Sequence, residues 1–507
     1  MLVGRTDELR LLKQAARADE SKFVAIYGRR RVGKTFLVRE AFEYNFAFYH
    51  TGVANESKTT QLSEFKKSLA KYGQVKRGAL KTWYDAFEQL AKLLEHNNNE
   101  EKKVVFIDEM PWMDSPRSNF LAALEYFWNS WASARKDILL IICGSATSWI
   151  INKVIKNHGG LHNRVSVRIH LKPFTLHECE LYAQALRLQF NRRQILEGYM
   201  VMGGIPFYWS QMDGSMSLVQ NIDKQFFSED GTLRYEFDDL YDSLFKQPKP
   251  YLEIIKVLAT KKVGMNRTEI LKDTKLLDNG KFTEYLENLE YCGFIRKYNC
   301  LGMKAKNAMY QLMDNYTLFY YRFIKDSDVN DPHYWSKIAG MPAYNTWCGL
   351  AFERVCLQHT EQIKAKLGIQ GVITNVYSWS VTGTADKPGA QIDLLLDRND
   401  DVINLCEVKY SKAPFNITSS VDSNLQNKRE RFVEETMTHK AVHLTMIKSL
   451  KLYREKYNPK WALRTSLLPY ERNTASRTIN LPLYMLFVLQ DELNSTLHPS
   501  PIGLECR

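Results

Sequence analysis

Gly28-Arg29-Arg30-Arg31-Val32-Gly33-Lys34-Thr35 is an uninterrupted match to G-x-x-x-x-G-K-[ST]. It follows the apolar run Phe23-Val24-Ala25-Ile26-Tyr27 and precedes Phe36-Leu37-Val38-Arg39-Glu40-Ala41-Phe42, a stretch with helical character. Strand, glycine loop and helix in that order read as a P-loop. The chemistry needs Gly28 and Gly33 so that backbone N–H groups turn inward around phosphate oxygens, Lys34 to reach the β- and γ-phosphates, and Thr35 to hold Mg²⁺. Arg29, Arg30, Arg31 and Val32 fill the loop and Phe36 continues the helix, whose opening adds a positive dipole end. The three arginines can face either phosphate or solvent. The ligand implied is a nucleoside triphosphate.

A carboxylate element must accompany such a loop. Lys102-Lys103-Val104-Val105-Phe106-Ile107-Asp108-Glu109 supplies it as a buried parallel strand ending in two acids, a Walker B pattern. Asp108 is expected to hold Mg²⁺ through water and Glu109 to polarise the attacking water, because phosphoryl transfer depends on positioning and charge compensation. A third apolar strand, Ile138-Leu139-Leu140-Ile141-Ile142-Cys143, ends in Gly144-Ser145. Ligands sit at the carboxyl ends of parallel strands, which makes the Ser145 hydroxyl a candidate γ-phosphate sensor.

Together these residues resemble the AAA-like archaeal and bacterial ATPases related to the STAND NTPases, over roughly residues 1 to 330. The resemblance includes Val3-Gly4-Arg5-Thr6-Asp7-Glu8-Leu9, similar to the family's opening box near the adenine, which makes Gly4 and Arg5 candidate nucleotide contacts. It also includes Gly159-Gly160-Leu161-His162-Asn163-Arg164, Leu171-Lys172-Pro173-Phe174 and Gly203-Gly204-Ile205-Pro206. What it implies is ATP with Mg²⁺, an arginine after the sensor strand for which Arg164 is the candidate, and a helical lid whose G-x-P element brings Pro206 towards the nucleotide. Arg164 reads equally well as a surface charge.

Composition bounds the class. The 507 residues are 45% hydrophobic with a net charge of +12, enough for several domains with sizeable cores. No run reaches the length of a membrane span, and Leu481 to Leu489 contains Pro482. The first residues, Met1-Leu2-Val3-Gly4-Arg5, have no basic and apolar leader. The eight cysteines form no C-x-x-C pair, and Cys143 and Cys406 lie in apolar runs, so they read as free thiols. The expected compartment is cytoplasmic, with no membrane partner. Basic balance raises the prior for a polyanion such as DNA only modestly.

After the ATPase region come three helical stretches, at Tyr251 to Leu258, at Arg267 to Leu271 behind the cap-like Asn266, and at Lys281 to Tyr291. Gly293 to Tyr298 and Met309 to Met313 then alternate as a β-hairpin does. This order suggests a winged helix. Its third helix carries Glu284, Glu287 and Glu290, which repel phosphate, so a lid or protein-docking role is favoured over DNA contact.

A second chemical signature follows. Gln391-Ile392-Asp393-Leu394-Leu395-Leu396 and Val402 to Lys409 read as strands joined by the turn Asp397-Arg398-Asn399-Asp400. Period-two spacing puts Glu407 and Lys409 on one face, and Asp393 stands on the neighbouring strand. Two carboxylates and an ammonium so arranged can bind Mg²⁺ or Mn²⁺ and activate water for phosphodiester hydrolysis. These residues resemble the PD-(D/E)XK nuclease core over residues 345 to about 450, with Glu353 of Gly349-Leu350-Ala351-Phe352-Glu353 as the helix-borne acid and Gln391-Ile392-Asp393 in place of the Pro-Asp pair.

The expected fold is α/β: a P-loop ATPase core at 1–175 with a parallel sheet, a helical lid at 176–240, a winged helix at 241–330, a mixed α/β nuclease-like domain at 331–450 and an irregular extension at 451–507. Asn97 to Lys103 reads as a polar loop. This order resembles bacterial and archaeal ATPases with a carboxyl-terminal domain of unknown function. Two functions compete: an ATPase controlling a metal-dependent DNA nuclease, and a nucleotide-gated regulator that binds DNA, a protein or another copy of itself through an inactive nuclease fold.

Overall fold

Phe23 to Ile26, Lys103 to Asp108 and Ile138 to Gly144 are buried along their lengths, as strands covered by helices on both faces must be. In the computed structural model they are the centre of a five-stranded sheet. The structure describes residues 2–73, 78–96, 102–156, 159–161, 163–302, 307–327, 331–410 and 418–447, and the strand backbone within 462–466, 471–473 and 478–482. His162 and Asn97 to Glu101 of the sequence reading, and most of the extension at 451–507, lie outside the described residues.

The strands are β1 (Lys22–Tyr27), β2 (Phe48–Thr51), β3 (Lys103–Asp108), β4 (Ile138–Gly144) and β5 (Val167–His170). All pair in parallel, in the order β2-β3-β4-β1-β5. The strand with the paired acids is therefore separated from the P-loop strand by β4. Beside the sheet, Phe65, Trp83, Phe87 and Phe120 pack edge to face and tilted, with the Trp83 and Phe120 ring centroids 4.8 Å apart.

The chain divides into two compact units, residues 1–173, 240–248 and 283–292, and residues 174–239, 249–282 and 293–507. The chain returns twice to the first unit after residue 173, at 240–248 and at 283–292. At the second return Cys292 is buried and Tyr291 receives the Lys156 ammonium, Nζ to Oη 2.9 Å.

In the second unit, helices Leu176–Ala185 and Arg192–Met202 each open with a reciprocal capping box, at Thr175 with Glu178 and at Asn191 with Gln194. Helices Lys249–Ala259 and Arg267–Thr274 follow, the latter capped by Asn266 and Glu269 as the sequence suggests. Strands β6 (Met265–Asn266), β7 (Ile295–Tyr298) and β8 (Met309–Leu312) form an antiparallel sheet in the order β6-β8-β7. Helix Gly280–Tyr291, most of which belongs to the first unit, exposes Glu284 and Glu287, while Glu290 is half-buried.

Helix Pro342–Gln358 then leads into β9 (Thr374–Val381), β10 (Ala390–Arg398) and β11 (Val402–Val408), an antiparallel meander. Helix Ser419–Thr436 crosses back so that β12 (Ala441–Ile447) joins β11 in parallel. Phe432 of that helix meets Trp379 edge to face at 5.2 Å over a core of Ile392, Leu395, Ile403 and Leu405. The tail expected to be irregular contains three short strands, β13 (Ala462–Ser466), β14 (Glu471–Asn473) and β15 (Thr478–Pro482), because β15 pairs with both others in the order β13-β15-β14.

One polar cluster fastens the rim of the first sheet. Asp137 accepts a bidentate pair from Arg135, 2.8 and 2.7 Å, and the buried Lys103 ammonium. Hydrogen bonding from Arg135 leads the causes that hold the Asp137 carboxyl well below the usual range. Its contribution to stability is therefore present above the ordinary aspartate pKa and is lost as pH falls through the depressed one. Asp137→Asn should lower unfolding free energy by about 1–3 kcal/mol at neutral pH. Denaturant melts should show the gap to wild type narrowing as pH falls below about 4.

Candidate functional site

Gly33 has φ +90°, a left-handed conformation suited to glycine, and it caps helix Lys34–Ala41. At Gly28, φ is +150° and an added Cβ would stand 2.2 Å from the Leu171 carbonyl oxygen. The loop between them turns its carbonyls towards Lys34, whose buried Nζ donates to Gly28 O and Arg29 O, both at 2.9 Å. Burial lowers the Lys34 pKa, opposed by the nearby charges of Glu109 and Asp108. The ammonium thus lies in a nearly dry cradle beside two Walker B acids. Arg29 is buried in the loop, Arg30 and Arg31 are half-buried, Val32 is buried and Phe36 is exposed.

Although β3 is two strands away from β1, Thr35 Oγ1 donates to Asp108 Oδ2 at 2.8 Å. Asp108 Oδ1 accepts from the Cys143 thiol of the intervening β4 at 2.6 Å and from Glu109 N at 2.9 Å. Burial raises the Asp108 pKa, and the Cys143 and Thr35 hydrogen bonds pull it down. Glu109 sits in the left-handed region at φ +46° and accepts from Ser145 N at 3.0 Å and from Ser145 Oγ. Ser145 therefore orients Glu109 at the end of β4. A buried carboxylate joined to a hydroxyl is an oxygen set that suits a hard cation such as Mg²⁺.

The other expected nucleotide contacts divide. Gly4 and Arg5 both have left-handed backbones, and the buried Arg5 guanidinium reaches Val32 O at 3.4 Å, so the opening box meets the P-loop. Arg164 is exposed, its N–H donating to Leu161 O, and its side chain makes no hydrogen bond to the P-loop among the described residues. Pro206 opens helix Pro206–Ser210 in the second unit, just after Gly204 O accepts from Phe174 N at 2.6 Å.

In the second unit the register pairs Leu394 with Cys406, so Asp393 and Glu407 occupy the next positions along β10 and β11. A register shift between Ile392 and Leu395 in the pairing with β9 leaves Asp393 at a bulge. Glu353 comes from helix Pro342–Gln358. Among the described residues no three His, Cys, Asp or Glu form a group that could hold a metal ion. Lysines neutralise the acids. Glu407 pairs with Lys409 at 3.0 Å and Lys428 at 2.6 Å, while Lys262 lies 3.1 Å from Glu353 and 3.6 Å from Asp393. Burial, then the Asp393 charge, raises the Glu353 pKa.

Comparison with known proteins fits the first of these sites. Residues 2–211 match the family of ATPase domains found predominantly in Archaea. Over that segment the chain is similar to an ATPase domain. Over 415 residues the chain is 26% identical to the uncharacterized protein MJECL04 of Methanocaldococcus jannaschii, covering 81% of this chain and 88% of that one. Among solved structures it is similar to the Walker-type ATPase PABY2304 of Pyrococcus abyssi, with TM-score 0.44, 18% identity, 64% of this chain and 96% of that chain. It is also similar to the ADPNP-ADP complexes of Aeropyrum pernix ORC2, with TM-score 0.38, 17% identity and coverage of 67% and 96%.

Several residues of these sites escape a linear reading. In the ATPase domain, Cys143 reads as a buried apolar residue, yet its thiol is hydrogen-bonded to Asp108. Lys262 and Lys428 lie far along the chain from the acids they meet, and no motif marks them. Gly28→Ala should remove detectable ATP binding by the ATPase domain, since the new Cβ cannot coexist with the Leu171 carbonyl at 2.2 Å without moving the loop or β5. Titration calorimetry on folded protein checks this, and affinity within twofold of wild type contradicts the cradle geometry.

Proposed function

We propose that the chain is a Mg²⁺-dependent ATPase whose nucleotide state controls a carboxyl-terminal, metal-dependent phosphodiester hydrolase of the PD-(D/E)XK type. The observation that carries the first half is the Thr35 to Asp108 hydrogen bond, which joins the P-loop to the acid strand across the sheet. Thr35 and Asp108 would hold Mg²⁺, which when bound offsets charge on the β- and γ-phosphates. Lys34 would leave its loop carbonyls for the phosphates. Glu109, aimed by Ser145, would orient the attacking water and accept its proton. Gly4 and Arg5 would line the base side and Arg164 would meet the γ-phosphate on closure.

For the second half, support comes from the order of helix, three-stranded meander, helix and parallel strand, with acids at the helix, at the β10 bulge and at the end of β11. Glu353 and Asp393 already share an ammonium, so the pair suits a cation. Asp393 and Glu407 would hold Mg²⁺ or Mn²⁺ with help from Glu353, the metal when bound lowering the pKa of its water. Lys409 would stabilise the nucleophile. The helix and sheet order from Lys249 to Leu312 supports a winged helix, and the exposed Glu284 and Glu287 favour a docking role for it over DNA contact. The second reading, an inactive nuclease fold that binds DNA or a protein, is favoured by the lysine ion pairs that already neutralise the three acids.

Lys34→Ala should weaken ATP binding by roughly tenfold or more, and Glu109→Gln should preserve binding while slowing turnover by about 10²-fold or more. Calorimetry and steady-state phosphate release separate the two effects. A Glu109→Gln turnover equal to wild type would move the base elsewhere.

Nicking of supercoiled plasmid with Mn²⁺, with and without ATP, tests the second half. Asp393→Ala should abolish it and leave ATP hydrolysis intact, and Lys409→Ala should slow cleavage while sparing metal affinity. Wild-type protein that cuts nothing under any nucleotide condition would favour the binding reading.

A further inference from the structure

Lys262 lies in the short connection between helix Lys249–Ala259 and β6, outside every motif that marks the carboxyl-terminal site. Its Nζ stands 3.1 Å from Glu353 Oε1 and 3.6 Å from Asp393 Oδ2. We propose that Lys262 is a built-in competitor for the divalent cation, its ammonium occupying the cation position between Glu353 and Asp393 and withdrawing when metal enters. This rests on the reading of that pair as a cation site.

The neighbouring charges leave this role to Lys262. Glu353 and Asp393 line one small cavity with Arg296, Tyr298, Gln311 and Arg354, and two carboxylates there call for a positive partner. Arg354 is buried, but its guanidinium is spent on carbonyls: Nε donates to Leu312 O at 3.0 Å, one terminal nitrogen to Leu350 O at 3.2 Å and the other to Lys262 O at 3.3 Å. Arg296 Nε donates to Gln311 Oε1 at 2.8 Å, and its guanidinium lies over the Tyr298 ring. Lys409 and Lys428 are committed to Glu407.

The backbone delivers the ammonium while the side chain keeps its freedom. Lys262 O accepts from Gln311 Nε2 at 2.6 Å as well as from Arg354, and Val263 O accepts from the Tyr298 hydroxyl. Gly264 follows at φ +95°, where a Cβ would lie 2.3 Å from Tyr310 O, so the turn is pressed against β8. These bonds root Lys262 at the cavity rim. Its side chain is 42% exposed, however, against 18% for Glu353. Withdrawal therefore needs only a rotamer change of a four-carbon stem into water, with no backbone movement.

An ammonium and a divalent cation cannot share the position, because the two repel at contact distance. Occupancy by metal is thus set by exchange with Lys262, and the domain rests without metal when divalent cations are scarce. Anything that moves the 260–264 connection would change metal affinity without touching a ligand.

The test is Mn²⁺ titration of the full chain, without nucleotide, followed by calorimetry and by the electron spin resonance signal of free Mn²⁺. Wild type is compared with Lys262→Met, Lys262→Gln, Asp393→Asn and the double variant Lys262→Met/Asp393→Asn. Removing the ammonium should tighten Mn²⁺ binding by about tenfold in either single Lys262 variant, and the gain should vanish in the double variant. Two neutral replacements guard against one that fails to fold, with circular dichroism and melting temperature recorded for each. If wild type binds Mn²⁺ through Asp393 and neither Lys262 variant binds it more tightly, the competitor is refuted while the cation site stands. If no variant binds Mn²⁺ in a manner that Asp393→Asn removes, both fall.

Discussion

The Thr35 hydroxyl, at the start of the helix after β1, donates to Asp108 across a sheet in which β4 separates β1 from β3, and the site is organised around that span. It can form only if β1, β4 and β3 run parallel and in register, so that their carboxyl ends finish at one level. The apolar runs enforce this, since each strand is buried along its length and slippage would drive a polar end into the core. The intervening strand is not a passive spacer. It sends Cys143 to Asp108 and Ser145 to Glu109, one partner for each acid.

Burial at this point works in opposite directions on opposite charges. It lowers the Lys34 pKa and raises that of Asp108, and each group stays compatible with its charge through hydrogen bonds: loop carbonyls for the ammonium, a thiol and a hydroxyl for the carboxylate. Such a cradle is matched to a polyanion with a hard cation, because both can replace those internal partners at little desolvation cost.

The carboxyl-terminal acids follow another logic. Glu353, Asp393 and Glu407 come from a helix, a bulge and a strand end, and every one of them is met by a lysine. Charge balance is achieved with ammonium groups on flexible stems. Such stems can swing into solvent without backbone movement, which a guanidinium locked into a bidentate pair would resist.

How much was legible in the chain depends on the range of each interaction. The P-loop, the acid strand, the cap at Asn266 and the β10–β11 hairpin are local: glycines at required dihedrals, apolar runs of strand length and capping side chains three residues from their donors all act within a few positions. Those the sequence by itself determined. The strand order, the return of residues 240–248 and 283–292 to the first unit, the thiol at Asp108, the strands within 462–482 and the approach of Lys262 and Lys428 to the acids belong to tertiary structure. An ion pair such as Lys262 with Glu353 leaves no periodicity and no motif, because the attraction depends only on distance in space, and that distance exists only once the chain has folded.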